Sequence, residues 1–582
     1  MSVSGRERDA GQPSGQQGAA AGAAVPVPAV PPDFVTAPGK APEAPPARPG
    51  RASGGRLGWA LALGAAAVVL FLAYLRVSRT VPVDSDGASN ALQAWAMLHG
   101  NLLLTGWWVS DVAFWTTELP QYMLVIAARG FGPDVVHTAA AMTYVLLVLL
   151  AGLLARGRST GTAGVARFAV AAGIMIAPQL GGGADVLLLS PDHVGTMVPL
   201  LLIWLIVDRA RPRPYVPVAV GILLAWVQVA DSITMLVATG PLIGVCALRA
   251  VAGLAAGRRR PTGAGRYELG LAVAAAASVP VALAAGRLIR SHGGYTVWSA
   301  STRLYKAGTL PAHLALAGHG LLELLGANFP QPSGTAAFFA AVHLAGVALA
   351  AAGLVLALRQ LLTGDLIAAV LAAAIVVNVA AYVISRSPID TWSAREISAT
   401  LPYGAVLAGR LVAGPLAGRL RAPAKARRLR QAVLAGACAC ALAYAAALGY
   451  AATRPPQPAE DQDLAGWLTA HHLTYGLASY WQANSTTLDS AGRVHVLPVS
   501  IHHRKVTPRL WESDIGWFAA RRHYADFLVT VTGPPKDVVR KLARRALHNF
   551  GRPARVYVFG RYTVRVWHQN LLRELGPATG PG

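Results

Sequence analysis

The stretch Val83-Asp84-Ser85-Asp86-Gly87 carries two carboxylates two residues apart, followed by a helix-like run from Ala88 to Asn101. Carboxylates so spaced can do one of two jobs. One can take a proton from an attacking hydroxyl as a general base, or the pair can hold a hard divalent cation through oxygen ligands. A plainer role also exists: Asp86, just before the helix-like run, can cap its N-terminus. Other reactive residue types are less patterned. His471 and His472, and again His502 and His503, form adjacent pairs rather than a zinc-ligand spacing. Cys246, Cys438 and Cys440 offer neither a disulfide framework nor a metal spacing. No Walker A loop or dinucleotide fingerprint occurs, so ATP-driven transport lacks support. The Gly-x-Ser-x-Gly match at Gly157–Gly161 lies in a basic stretch between two apolar runs rather than at a strand-to-helix turn, so serine hydrolysis lacks support as well.

The elements that must position these carboxylates are apolar helices. Of 582 residues, 54% are hydrophobic and only 13% charged, where a soluble chain would carry about a quarter. Leu57 to Leu75 and Val135 to Ala155 run without a charge, long enough to cross a hydrocarbon core of about 30 Å. The sequence predicts a polytopic α-helical membrane protein with about eleven transmembrane helices. They lie near 57–75, 135–155, 165–182, 186–207, 216–231, 232–254, 267–286, 335–358, 366–385, 397–415 and 431–452.

With the N-terminus cytoplasmic, every inner loop is basic. The loops carry Arg156, Arg158 and Arg167; Arg209, Arg211 and Arg213; Arg258, Arg259, Arg260 and Arg266; Arg359; and Arg419, Arg421, Lys425, Arg427, Arg428 and Arg430. This positive-inside pattern accounts for the net charge of +24 without nucleic acid. Of the 14 acids between residues 57 and 452, only Asp208, Glu268 and Asp365 fall inside. The other eleven gather at the outer face, where a chemical site is therefore expected.

Residues 1–52, rich in Pro, Ala and Gly, read as a disordered cytoplasmic tail too long and polar to be an ordinary cleaved signal peptide. Residues 53–452 form the membrane domain. Residues 108–131, broken by Asp111, Glu118 and Pro120, read as juxtamembrane helices in the outer interface, and another is expected near 310–326. Residues 453–582 read as a small extracytoplasmic α/β domain. Its strands are expected at Val494–Ile501, Phe527–Val531, Arg555–Phe559 and Tyr562–Trp567, and its helix at Lys536–Asn549. This domain carries 17 basic against 9 acidic residues, a balance suited to an anionic membrane or envelope polymer. The aromatic and amide-rich run Tyr475–Asn484 suits either sugar binding or, the favoured reading, the domain's own core and its seam with the membrane part.

An acid just after the first span, the continuation Ala94 to Asn101 and the outer juxtamembrane helices resemble the GT-C superfamily of lipid-dependent glycosyltransferases. The likeness is to bacterial relatives of the protein O-mannosyltransferases and aminoarabinose transferases (family 39-like). Trp392-Ser393-Ala394-Arg395-Glu396-Ile397-Ser398-Ala399-Thr400-Leu401-Pro402 resembles their "R-Y-x-x-x-x-P" entry to a late helix, with Glu396 where an aromatic residue is usual. Tyr557–Trp567 resembles their terminal strand pair. The resemblance implies transfer of a sugar from a polyprenyl-phosphate carrier to a hydroxyl on an envelope glycan or protein, at the outer face of the inner membrane.

Asp86, or else Asp84, would be the base, although the family's paired acids are usually adjacent. Asp185, Asp192 and His193 match the position of a second acid and would orient the acceptor or help bind a metal; alternatively, Pro191 and Asp192 merely shape a break in the fourth span. Arg395 and Arg386, with Arg303 and Lys306, would bind the lipid phosphate, or simply meet lipid headgroups. A divalent cation, Mg or Mn, is left open as a cofactor. The competing readings are a lipid-linked glycan transporter or flippase, disfavoured by the lack of a visible repeat, and a non-catalytic envelope scaffold.

Overall fold

The computed structural model describes residues 52–257, 263–298, 304–305, 308–330, 333–414, 427–532 and 536–578. The expected N-terminal tail, Arg303, Lys306 and the basic positions 258–260, 419, 421 and 425 lie outside them. The chain divides into a unit 1–58 and a compact unit 59–582; the architecture below is that of the second, apart from the start of its first helix.

The first half of the chain runs α1 (Ala52–Ser78), α2 (Ser85–Leu98), β1 (Trp107–Val109), α3 (Leu119–Arg129), α4 (Asp134–Arg156), α5 (Gly161–Met175), α6 (Gly182–Leu188), α7 (Met197–Arg209), α8 (Tyr215–Ala230), α9 (Gly240–Ala255) and α10 (Gly263–Ser291). Then come β2 (Thr296–Val297), α11 (Leu310–Leu324), α12 (Gly334–Val342), α13 (Leu344–Arg359), α14 (Leu366–Ile384), α15 (Thr400–Leu407) and α16 (Arg427–Ala452). The C-terminal part adds α17 (Gln462–Ala470), β3 (Tyr475–Ala478), α18 (Tyr480–Asp489), β4 (His495–His502), β5 (Lys505–Pro508), β6 (Ser513–Asp514), β7 (Phe527–Val531), α19 (Lys536–Phe550), β8 (Arg555–Phe559) and β9 (Tyr562–Val566).

Helix occupies each of the eleven expected span positions, but not always in one piece. Among the described residues seven helices are long and apolar enough to cross a membrane, and two shorter apolar ones, Gly161–Met175 and Tyr215–Ala230, accompany them. The protein is thus a multi-pass membrane protein, and eleven complete crossings are not what the structure displays. The fourth expected span, 186–207, departs most. Helix α6 ends at Leu188 and α7 begins only at Met197, because Pro191 has no N–H to continue the ladder and His193 adopts a left-handed backbone (φ 58°). The tenth joins α15 to a π-helical turn, Ala408–Ala413. The interfacial reading of 108–131 holds a strand and a helix, β1 and α3, and the expected helix near 310–326 is α11.

Tightly packed Ala, Leu and Val from most of the apolar helices form one large core. The arginine-rich end is closed by ion pairs that positive-inside counting does not anticipate. Arg410, buried in the π-helical turn, meets Asp208 at 2.7 Å and Asp365 at 2.5 Å and donates to the Leu154 carbonyl. Arg249 meets Glu268 at 3.1 Å. The three acids at that end are therefore each matched to a guanidinium, as charges away from water must be.

The C-terminal part is built on a six-stranded mixed sheet of order β5-β4-β3-β7-β9-β8. β3 runs parallel to β4 and β7, and the remaining pairs are antiparallel. The four expected strands and the expected helix appear within a residue or so of their limits. The short β3 and β5 were not anticipated, since four residues give too few alternations to register. A second sheet, β2-β1-β6, stitches this part to the bundle. Trp108 faces Thr296 on one side and Ser513 on the other, and Trp107 faces Asp514. Trp107 is buried against Trp517 in an edge-on contact of 4.9 Å.

Candidate active site at the acid-rich mouth of the bundle

The mouth is assembled from four chain segments, each shaped locally by its own sequence. In the first, Asp84 is the N-cap of α2: its backbone is extended and its Oδ1 accepts from the Gly87 N–H at 2.8 Å. The cap is therefore Asp84 rather than Asp86, which sits in the first helical turn with its carboxylate free to project. Gly87 lets α2 approach α4, since a Cβ there would lie 2.9 Å from the Val136 side chain.

The second segment is the break 189–196. Gly195 N–H closes onto the Pro191 carbonyl and Val194 N–H onto the Asp192 carbonyl, both at 2.6 Å, a turn that presents Asp192 and His193 side by side. The third is the 3₁₀ turn Trp392–Ile397, pinned to α14 by Tyr382 Oη on Ser393 Oγ (2.8 Å) and by Asn378 donating to the Glu396 carbonyl (3.0 Å). It presents Arg395 and Glu396. The fourth is the C-terminal part, which delivers Tyr480 at the end of β3 and Glu512 just before β6.

These segments interlock as two crossed pairs. Arg395 lies 3.1 Å from Asp86 and 3.8 Å from Asp192, while His193 lies 3.6 Å from Glu396 and 2.9 Å from Asp231. Asn90 of α2 donates to Asp192 at 2.6 Å. Tyr480 Oη donates to Asp86 Oδ1 at 2.5 Å and bonds Glu512. Asp231 also receives the Thr196 hydroxyl at 2.8 Å and the Ile233 N–H at 3.0 Å, so it both turns the chain after α8 and orients His193. Asp84, Asp86, Asp192, His193, Asp231 and Glu512 are all buried. A small cavity of about 10 Å³ is lined by Asp84, Asp185, Ser190, Asp192, Trp392 and Arg395, with Val186 and Leu189.

The structure thus brings together Asp84, Asp86, Asp185, Asp192, His193 and Arg395. Arg386 stands apart, donating to the Leu304 carbonyl at 3.1 Å. Among the described residues no three His, Cys, Asp or Glu side chains are arranged to hold a metal ion. The donor set explains why. Both oxygens of Asp86 and of Asp192 already face Arg395, Tyr480 or Asn90, and the positive charge between the two carboxylates is a guanidinium. The residues present do not fit the divalent cation left open above.

Burial and the neighbouring Asp86 carboxylate push the Asp84 carboxyl well above the usual range, despite the Gly87 N–H. The same two causes, burial and Asp86, raise Glu512. For Arg395 burial works against the charge, but Asp86 and Asp192 outweigh it and raise its pKa. The one guanidinium among several carboxyls thus pairs directly with Asp86, while Asp84 and Glu512 hold a proton more tightly than free carboxyls do.

Tyr480 belongs to the run expected to form the seam; Glu512 had no sequence signal beyond being a lone acid beside Trp511. Its backbone is left-handed (φ 51°), a conformation held against steric cost. Tyr480→Phe is expected to leave the buried Glu512 carboxyl without its hydroxyl partner. That costs about 1–3 kcal/mol, readable as a lower thermal unfolding midpoint of the full chain in nanodiscs.

Glu118, at the start of α3, also packs beneath the mouth: its carboxyl receives Thr196 Oγ1 at 3.1 Å and lies against Gly195, where a Cβ would fall 2.5 Å from it. Burial, then Asp231, pushes it up to about 8. A carboxyl raised from 4.5 to about 8 binds its proton more tightly in the folded state, so stability falls as pH rises from about 4.5 to 8. Glu118→Gln, which cannot ionise, should flatten that slope in unfolding scans across this window.

Taken together, a multi-pass helical bundle whose acid-rich mouth is closed by a C-terminal mixed sheet has a GT-C-like fold. The fold likeness rests on one solved structure. ArnT from Cupriavidus metallidurans in the apo state superposes with a TM-score of 0.51 at 16% identity, covering 90% of this chain and 100% of that one. ArnT from the same organism bound to undecaprenyl phosphate gives 0.49 at 15% identity, covering 89% and 99%. The oligosaccharyltransferase AglB from Archaeoglobus fulgidus, in complex with an inhibitory peptide and a dolichol-phosphate, gives 0.43 at 12% identity, covering 85% and 72%. No protein-family model and no curated protein sequence matches the chain.

Proposed function

We propose that the protein is a membrane glycosyltransferase that moves a sugar from a polyprenyl-phosphate carrier to an acceptor hydroxyl at the outer face of the inner membrane. The observation that carries this reading is the convergence of Asp86, Asp192 and Arg395, with 3.1 and 3.8 Å between charged atoms, at the mouth of a bundle with the ArnT fold. Acids here precede and follow helices at the end opposite the arginine loops, and the positive-inside tendency of such loops supports reading that end, and the C-terminal sheet with it, as extracytoplasmic.

In this role the Asp86 carboxylate takes the proton of the acceptor hydroxyl as its oxygen attacks the anomeric carbon. The bond from that carbon to the carrier phosphate breaks, and the phosphate leaves with the electron pair. Arg395, fixed at the mouth, stabilises the growing phosphate charge. Asp192 holds Arg395 from the other side and is itself held by Asn90. His193, clamped between Asp231 and Glu396, orients the acceptor.

The experiment uses the full chain in nanodiscs with a panel of radiolabelled undecaprenyl-phosphate sugars, following release of free undecaprenyl phosphate. Release that requires Arg395 is the expected result. Retention of every labelled donor by protein that binds it, with label moved from one leaflet to the other instead, would favour transport.

A further inference from the structure

We propose that a basic finger of the C-terminal sheet binds the phosphate headgroups of anionic phospholipid in the leaflet beneath it. The finger is the β4–β5 hairpin, together with one face of α19. A cavity of about 340 Å³ is lined by Ile501, Arg504, Lys541, Arg544 and Arg545. The last three recur at helical spacing on α19, which packs on β5, so they share one face. Among the described residues no ion pair engages any of these four cations. Cations gathered with no ion pair among the described side chains repel one another, and an anion between them lowers that cost.

Strand direction says which way the finger points. β3 ends by delivering Tyr480 to Asp86 at the bundle mouth, so its carboxyl end faces the membrane part. β4 is parallel to β3, with Ala478 opposite Pro498, and continues four residues further to His502. At about 3.3 Å per residue that carries the tip roughly 13 Å beyond the level of Pro498 toward the membrane. His502, His503, Arg504 and Lys505 at the tip are all exposed. A soluble polyanion would need no such reach, which is why the headgroup is the favoured source of phosphate.

The turn itself is a second observation. His502 pairs with Lys505, leaving a two-residue loop in which His503 (φ 43°) and Arg504 (φ 68°) are both left-handed. Such loops favour Asn-Gly because other side chains are strained there. A basic pair held in that conformation indicates that charge at the tip matters more than ease of turning.

The test does not depend on glycosyl transfer. The full chain is placed in nanodiscs of phosphatidylcholine alone, and of phosphatidylcholine with about a third phosphatidylglycerol, and amide hydrogen exchange is followed over 499–508 and 540–550. Each basic side chain near an anionic surface adds about a fivefold factor in affinity, so exchange at the tip should slow at least about fivefold in the anionic discs. High salt should reverse this. The triple change K541S, R544S and R545S should abolish the difference. Arg504→Gly relieves the turn while removing a charge, so it should keep the hairpin folded yet lose part of the protection. Equal exchange in the two discs, or an Arg504→Gly protein protected like wild type, would overturn the proposal. So would protection by soluble polyphosphate in neutral discs with none from phosphatidylglycerol, which would assign the site to a polymer.

Discussion

Asp86→Asn is expected to lower release of undecaprenyl phosphate from a labelled donor by a factor of about 10² to 10⁴, the usual worth of a positioned base, while the protein stays folded. Asparagine has nearly the shape of aspartate and keeps an oxygen to accept from Tyr480 or Arg395, so the bonds at 2.5 and 3.1 Å are weakened rather than deleted. What disappears is the capacity to take the acceptor's proton. Asp84→Asn makes the internal comparison, because Asp84 caps α2 and asparagine caps about as well as aspartate. Its effect on transfer should stay within roughly tenfold, far below the loss assigned to Asp86. A doubly substituted protein, normally folded and transferring at the wild-type rate, would remove both acids from the chemistry.

Arg395→Ala should produce the largest loss of stability of any single change at the mouth. The guanidinium is the cation shared by Asp86 and Asp192, and it also lowers the otherwise raised pKa values of Asp84 and Glu512. Removing Arg395 leaves the buried Asp86 and Asp192 carboxylates uncompensated, at a cost below the roughly 3–5 kcal/mol of a fully buried pair because the guanidinium is 35% exposed and partly screened by water. Without Arg395 the folded-state pKa of Asp84 and Glu512 rises further, so the added penalty is absent while both proteins keep those protons and grows as pH rises through the wild-type folded-state values. Thermal unfolding at pH 5 and pH 8 should therefore show a wider gap between variant and wild type at the higher pH. Arg395→Lys should recover part of the stability as a point charge, but not the forked grip on phosphate that a guanidinium provides. A gap independent of pH would mean that packing, not charge, accounts for the loss.

Much of this architecture could be read from local patterns. Long uncharged runs announce helices, and a pair of aspartates directly beyond the first run announces a mouth. Arg395 stood out because it begins a late helix. What could not be read are the partners brought in from afar. Tyr480 lies 394 residues from Asp86, and no spacing rule links positions so distant. Glu512 reaches the mouth only because β6 adds to β1, and a strand of two residues leaves no periodic trace. Arg410 posed the opposite difficulty. Lying within a run expected to cross the membrane, it reads as a tolerated charge near the edge, whereas Asp208 and Asp365 make it a buried junction. The cap was assigned one acid too late, since an Asp-x-Asp pair offers two candidates and only the backbone angles decide between them.

The small sheet that joins β1, β2 and β6 sets an order in time. Its strands come from residues near 108, 296 and 513, so a ribosome must pass Asp514 before the last edge can be laid down. Until then Tyr480 and Glu512 have no fixed place, and Asp86 is held from one side only. A nascent or truncated chain that stops before Asp514 can insert its helices without being able to complete its mouth, which delays any reaction there until that strand has been made.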